Sequence, residues 1–343
     1  MSSSILHAYD YAFPKNLIAQ NPAHPRDSAR LLIYNRTTKK IQHSTFRQLA
    51  DFLPTGAVIV FNETKVLPAR LTLTKETGGK VEVVYIETAG SAIRVLANRR
   101  CVPGTRLTLS KKLYFTIQKS ADRFVLLKPS FPLSKLRGVL DRYGAAPLPL
   151  YIKHTKGSRA SIRLEYQTIF AHQPGSVAAP TASLHFTKRL LLDLKRKGYG
   201  IEFVTLHVGL GTFAPVTDEH LKNKKLHEER YEVSRATAAR LNKAKKADRP
   251  IIAVGTTVTR TLESAADSHG QLKKLSGTTD LFIQPGYQFK IVDGLITNFH
   301  VPKSSLLMLV SAFATREEIL RIYTIAIQKK YRLFSFGDGM LII

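Results

Sequence analysis

Apolar and polar positions alternate along this chain in two different ways. Between residues 63 and 160 the apolar runs are short and rich in β-branched or aromatic residues: 80–88, 92–96, 106–109, 113–117 and 123–127. Gly-Gly, Ala-Gly, Pro-Gly, Lys-Lys and Ser-Ala-Asp turn signals separate them. Several short strands at about ten-residue spacing predict a small antiparallel β-barrel. Residues 134–144 then read as a helix, with Ser134 as N-cap and Gly144 just past the end.

The flanking segments carry longer, helix-period patterns between buried apolar runs. Ser44 is placed to cap a helix through Phe52, and a strand over 57–61 follows. Thr187 caps a helix over 188–197 that Gly198 stops, leading into a strand over 201–208. Ser234 opens a helix to about Ala247, followed by a strand over 250–254, a helix over 257–268 and a strand over 281–283. Thr315-Arg-Glu-Glu318 has the form of a capping box opening a helix to Lys330. Helices alternating with strands predict a sheet with helices packed on it. The expected architecture is an α/β domain built from both ends of the chain, residues 1–62 and 161–343, with an antiparallel β-barrel domain inserted at 63–160.

Composition agrees with two domains. The chain has 343 residues, 44% hydrophobic and 22% charged, which excludes a disordered tail or a collagen-like chain. Charge adds a partner. The formal net charge is +27, and residues 63–160 hold 19 Lys/Arg against 6 Asp/Glu. An excess of this size favours a polyanion, nucleic acid first and an anionic membrane surface second. The single cysteine, Cys101, excludes an internal disulfide framework and a cysteine-only zinc site. Residues 1–16 show no basic segment before an apolar core. The longest apolar stretch, 306–314, is far short of the ~20 residues that span a bilayer. A cytoplasmic protein without a membrane anchor is expected.

Several chemical motifs fail on inspection. Gly209-Leu-Gly211-Thr-Phe-Ala214 matches the dinucleotide fingerprint, but Pro215 follows at once where a helix would have to begin. No Walker A loop, H-E-x-x-H or G-x-S-x-G is present, and no metal site is expected. What remains are polar and glycine clusters at strand ends, where α/β proteins place their sites. These are His207-Val-Gly-Leu-Gly-Thr-Phe213, Ala179-Pro-Thr-Ala-Ser-Leu-His185, His227-Glu-Glu229 and Thr297-Asn-Phe-His300, the last two expected in short loops.

Taken together and in order, these blocks resemble one family from about residue 5 to residue 343. The blocks include Tyr9-Asp-Tyr-Ala-Phe-Pro14, Arg26-Asp-Ser-Ala-Arg-Leu-Leu32, Val60-Phe-Asn62, Val66-Leu-Pro-Ala-Arg70 and Pro147-Leu-Pro149. They continue with Val254-Gly-Thr-Thr257 and Arg260, Pro285-Gly286, Thr297-Asn-Phe-His-Val-Pro302 and Phe334-Ser-Phe-Gly-Asp338. The chain is similar to the S-adenosylmethionine:tRNA ribosyltransferase-isomerases of queuosine biosynthesis. That resemblance implies transfer and isomerisation of the ribosyl group of S-adenosylmethionine onto 7-aminomethyl-7-deazaguanine at the wobble position of a tRNA anticodon. Epoxyqueuosine, adenine and methionine would be the products. It implies no cofactor, because S-adenosylmethionine is consumed as a substrate, and the partners are that tRNA and S-adenosylmethionine. A monomer is expected.

The implied chemistry needs a base beside the sulfonium, a donor for departing adenine and control of an oxyanion. His185, His207, Glu229 and Asp338 are the candidates for proton transfer. Gly209, Gly211 and Thr212 suit close backbone approach to the substrate. Arg26, Arg30 and Arg70 suit a carboxylate or phosphate, Asn62 and Asn298 suit polar base edges, and Asp27 and His300 are further substrate-binding candidates. The chain departs from the family pattern at Ser183 for glycine, Arg230 for an aromatic residue, Phe336 for tyrosine, Gly339 for alanine and Val301 for leucine. Two other classes remain open at this point, another S-adenosylmethionine-dependent tRNA-modifying enzyme and a non-catalytic RNA-binding protein.

Overall fold

The computed structural model describes residues 2–121, 123–153, 157–209 and 216–343. Its strands, in chain order, are β1 (Arg30–Tyr34), β2 (Ile41–Thr45), β3 (Val58–Asn62), β4 (Thr64–Val66), β5 (Arg70–Lys75), β6 (Lys80–Ala89), β7 (Ala92–Ala97), β8 (Arg106–Ser110), β9 (Leu113–Ala121) and β10 (Phe124–Pro129). β11 (Gln173–Ser176), β12 (Gly200–Leu206), β13 (Lys225–Glu232), β14 (Ile251–Val254), β15 (Ser276–Leu281), β16 (Gly294–Asn298) and β17 (Gly339–Ile342) follow.

Nine strands form one mixed sheet in the order β15-β13-β12-β3-β14-β16-β17-β1-β2. The four central strands β12, β3, β14 and β16 run parallel. Successive side chains of a strand point to opposite faces, and both faces are covered here. Val58 and Val60 join the core beneath the helices Arg235–Lys246, Thr256–Ala265, Ser305–Ala312 and Arg316–Gln328. Ile59 and Phe61 join a second core with Phe46, Phe186, Leu190 and Leu194. Burial on both sides is why these strands read as continuous apolar runs.

The barrel closes through β10-β7-β6-β5-β8-β9. Its alternating inward residues, among them Leu71, Leu73, Val81, Val83, Ile93, Val95, Leu107, Phe115 and Ile117, fill the interior. A closed barrel leaves no unpaired edge. All six strands fall within the window where the sequence placed a barrel. The sequence pattern missed β5, whose only apolar positions, Leu71 and Leu73, alternate with polar residues. β4 and β11 pair as a separate parallel ribbon, where the chain passes between sheet and barrel.

Capping predictions hold at Thr187, Ser234 and Thr315, whose side chains accept the backbone N–H three residues on. Glu318 does not close the box on Thr315; its carboxylate takes Arg321 and the Tyr34 hydroxyl. Three readings are corrected. Ser44 does not cap a helix: it sits in β2, and a 3-10 segment Phe46–Asp51 follows. Ser134 lies inside a 3-10 turn, so the helix Leu136–Tyr143 starts without a side-chain cap. The strand expected at 281–283 is β15, ending at Leu281, while Phe282 and Ile283 pack in the core.

Gly144 ends its helix for a steric reason. A Cβ there would lie 1.8 Å from the Pro68 carbonyl oxygen, whereas Gly138 in the same helix has open space around it. Gly144→Ala is expected to lower stability by several kcal/mol, because backbone must move. Gly138→Ala is expected to be neutral or to add up to about 1 kcal/mol of helix propensity. Urea unfolding of the two variants measures the contrast, and equal effects would refute the steric assignment.

Candidate active site

The parallel strands β12, β3, β14 and β16 deliver their carboxyl ends to one edge of the sheet, the usual place for a site in such a fold. A cavity of about 550 Å³ lies there, within the ~300–1,000 Å³ typical of small-molecule sites. Val208 lines it just beyond β12, Gly255, Thr256 and Thr257 just beyond β14, and Thr297 and Asn298 at the end of β16. Gly255 has φ +95°, a conformation glycine adopts without strain. The turn it makes leads directly into the helix Thr256–Ala265, which no side chain caps. The unpaired N–H groups and positive dipole end of that helix therefore border the cavity.

One wall is ionic. Glu229, on β13, is buried; one carboxylate oxygen pairs with the Arg260 guanidinium and the other accepts the Gly209 N–H at 3.0 Å. Arg260 also donates to the Leu281 and Thr279 carbonyls at 3.0 and 3.1 Å. Glu229 and Arg260 both line the cavity, and Glu229 is the only carboxylate among its described lining residues. Tyr151, Leu226, Ile283 and Phe334 supply apolar surface.

The β16 end is held by neutral imidazoles. Thr297 Oγ1 lies 2.8 Å from His300 Nε2, the His300 N–H donates to the Tyr323 hydroxyl, and the Tyr11 hydroxyl donates to the His300 carbonyl. Burial lowers His300 to about 4, so its ring is neutral near pH 7. Asn298 accepts from the Thr181 hydroxyl at 2.8 Å, and its Nδ2 lies 3.2 Å from His185 Nε2. An amide nitrogen only donates, so His185 Nε2 is the acceptor. His185 is buried behind Asn298 and stacked on Phe46 at 4.1 Å. Burial, with the positive charges of Arg332 and Arg26, lowers it to about 3.

Of the residues singled out from sequence, the fold brings Glu229, Asn298 and His300 to the cavity wall, with Gly209 hydrogen-bonded to Glu229. Gly211 and Thr212 lie outside the described residues. The others take different partners. His207 Nδ1 is 2.9 Å from Thr64 Oγ1, and burial and Arg230 lower its pKa. Asp338 accepts the N–H groups of Arg30 and Arg332 and the Arg332 guanidinium. Asp27 accepts from Arg47, Arg189 and the Thr187 hydroxyl. Arg26 donates to the carbonyls of Gln167, Leu164 and Glu165. Arg30 donates to the Lys329 carbonyl and lies over the Tyr331 ring at 3.7 Å. Asn62 stands behind Thr257, and Arg70 lines a different cavity.

His227-Glu-Glu229 is part of β13 and not a loop. Arg260, Thr257, His220 and Tyr151 were given no site role from sequence, and Thr297 was named only within its cluster, yet all five line the cavity. Thr257 and Arg260 had a signal, an apolar strand ending in Gly-Thr-Thr at a helix start. Tyr151 and His220 had none. Among the departures from the family pattern, Ser183 Oγ is buried with no hydrogen-bond partner among the described residues, and a Cβ at Gly339 would lie 2.8 Å from Phe46.

A strand-edge cavity of small-molecule size with an ionic wall, in an α/β sheet interrupted by a basic β-barrel, defines the class: an α/β protein with an inserted barrel and a candidate small-molecule site. Comparison with known proteins gives the family. Residues 6–342 match the family described as queuosine biosynthesis protein. The chain is 48% identical over 346 residues to the S-adenosylmethionine:tRNA ribosyltransferase-isomerase of Carboxydothermus hydrogenoformans, covering 98% of this chain and 99% of that one. It is 45% identical to the protein of that name from Thermoanaerobacter sp., covering 97% and 98%. The crystal structure of S-adenosylmethionine tRNA ribosyltransferase from Thermotoga maritima superposes with a TM-score of 0.56 at 33% identity, covering 98% of this chain and 100% of that one. The chain belongs to the queuosine biosynthesis protein family, that of the S-adenosylmethionine:tRNA ribosyltransferase-isomerases.

Two outcomes follow from this geometry. Asp338→Asn turns one of two buried acceptor oxygens, which together serve two backbone N–H groups and a guanidinium, into a donor and removes the charge, and is expected to cost about 1–3 kcal/mol in urea unfolding. His185 and His300 have folded pKa values below their unfolded value, so the unfolded state binds more protons between about pH 4 and 6.5. Stability therefore falls as pH drops through that window, by roughly 1.4 kcal/mol per pH unit for each histidine. Urea midpoints at pH 7 and pH 5 measure the slope, and His185→Gln is expected to remove its share.

Proposed function

We propose that this chain transfers and isomerises the ribosyl group of S-adenosylmethionine onto 7-aminomethyl-7-deazaguanine at the wobble position of a tRNA, forming epoxyqueuosine and releasing adenine and methionine. The observation that carries this reading is the strand-edge cavity, in which one carboxylate (the only one among the described lining residues), a guanidinium and a helix N-terminus without a side-chain cap among the described residues surround a nucleoside-sized volume in a chain that matches the family over residues 6–342. S-adenosylmethionine enters as a consumed substrate.

The roles follow from position. Removal of the proton beside the sulfonium needs a base, and of the four proton-transfer candidates Glu229 alone lines the cavity; it takes that proton. The sulfonium cation is drawn toward the same carboxylate and toward the faces of Tyr151 and Phe334. The uncapped N-terminus at Thr256 and Thr257 suits the methionyl carboxylate. At the β16 end, Asn298 and the Thr297–His300 pair offer hydrogen-bond donors to the departing adenine. Neutral His300 acts there through hydrogen bonding, since its lowered pKa makes it a poor reservoir for a proton at pH 7.

The test is incubation with S-adenosylmethionine and tRNA bearing the deazaguanine precursor. Adenine and methionine are expected in equal amounts, matched by ribosyl incorporation into tRNA. S-adenosylhomocysteine would indicate a methyltransferase, and no product at all would leave an RNA-binding protein. Glu229→Gln is expected to slow adenine release by about 10²- to 10⁴-fold, measured where circular dichroism shows the variant folded. A rate within a few-fold of the parent would remove Glu229 as the base.

A further inference from the structure

A second cavity, of about 530 Å³, lies where the barrel meets the segment leading back to the sheet. Its lining comes from the start of β5, from residues 145–153 and from the helix Arg159–Glu165. Pro149, in the Pro147-Leu-Pro149 block, lines both this cavity and the reaction cavity, so one proline-stiffened stretch of chain walls them apart. Arg70, Lys153 and Arg159 are its charged lining residues, and no carboxylate lines it among the described residues. The remainder is apolar, including Leu148, Ile152 and Leu150, the last 69% exposed.

The cations have capacity to spare. Arg70 donates to the Leu148 carbonyl at 2.6 Å and faces Glu82 at 3.4 Å, but its buried Nε has no hydrogen-bond partner among the described residues. A buried donor left unpaired is costly, and a negative charge beside the guanidinium would offset part of that cost. Arg159 donates to the Tyr143 carbonyl. Among the described residues neither Arg159 nor Lys153 is in an ion pair. A concave apolar floor ringed by three cations, two of them without an ion pair among the described residues and the third, Arg70, paired only with Glu82 at 3.4 Å, matches one chemical class, a nucleotide held by its phosphate, with base or ribose against aliphatic surface.

We propose that this cavity seats a nucleotide of the tRNA next to the one being modified, its phosphate on Arg70, Lys153 and Arg159 and its sugar or base against Leu150 and Ile152. The inference rests on the function proposed above. The shared Pro149 wall favours RNA over a free nucleotide, because it sets this cavity beside the reaction cavity, as neighbouring nucleotides in a strand would require. The surrounding window, residues 63–160, also holds 19 Lys/Arg against 6 Asp/Glu.

The experiment is filter binding of a tRNA bearing the deazaguanine precursor at 50 to 200 mM salt, for the parent, Lys153→Ala, Arg159→Gln and Arg159→Lys. Each neutral variant is expected to lower the steepness of log K against log salt, by at most the share of about 0.7–0.9 that one phosphate contributes. Lys153→Glu is expected to weaken binding at least tenfold at 50 mM. Arg159→Lys, which keeps the charge, is expected to retain the parental slope; this separates phosphate contact from a structural role for the bond to Tyr143. Unfolding midpoints accompany each variant. Parental slopes in both Lys153→Ala and Arg159→Gln overturn the site while leaving the function intact. A parent that neither binds this tRNA nor releases adenine with it overturns the function itself, and the site with it.

Discussion

One buried amide fixes how the two parts of the molecule meet. Asn62, at the carboxyl end of β3, donates to the Leu206 carbonyl and the Thr257 hydroxyl and accepts the N–H groups of Leu206 and Thr64. It stands where the chain leaves the sheet for the barrel, so strand hydrogen bonding cannot continue there and backbone groups would otherwise be orphaned in a dry interior. With all four bonds made, this polar side chain is tolerated at full burial. Those bonds join β3, β12, the start of β4 and the helix Thr256–Ala265 at one point. The strand-edge cavity lies beside that junction, and Thr257, one of the three partner residues, lines it.

The same logic divides the polar residues into two groups. Asp27, Asp338, Arg26, Arg30 and His185 spend their hydrogen-bonding capacity on backbone groups and on side chains such as Arg47, Arg189, Arg332 and Asn298, and so hold the chain around the site. Glu229, Arg260, Asn298 and the Thr297–His300 pair also have partners, yet each keeps a surface on the cavity. Neutral imidazoles and a paired carboxylate give a cavity with little free charge, whereas the neighbouring seam carries cations without carboxylates. The roles proposed above, a proton-transfer chamber beside a phosphate-binding seam, make a coherent division of labour for a family that acts on tRNA.

Local signals were legible wherever one residue and its immediate neighbours decide the outcome. Thr187, Ser234 and Thr315 cap their helices because a hydroxyl reaches an N–H three residues on whatever the tertiary fold. The barrel strands 80–89 through 124–129 were visible because a filled barrel forces alternation. Ser44 failed as a cap because β2 pairs with β1 as a hairpin, and the residue type at a candidate cap does not register strand pairing. Tyr151 and His220 were invisible as site residues because nothing in their own neighbourhoods points to a cavity.

The sequence by itself determined the class of fold, the inserted barrel, the concentration of positive charge in it and, through its ordered blocks, the family. These are properties of periodicity, composition and residue identity, all of which lie along the chain. Only the tertiary structure decided which polar residues face a substrate and which fasten the frame. A carboxylate such as Asp338 and one such as Glu229 are alike in sequence; their roles separate only when folding assigns each its hydrogen-bond partners and leaves one of them beside an open volume.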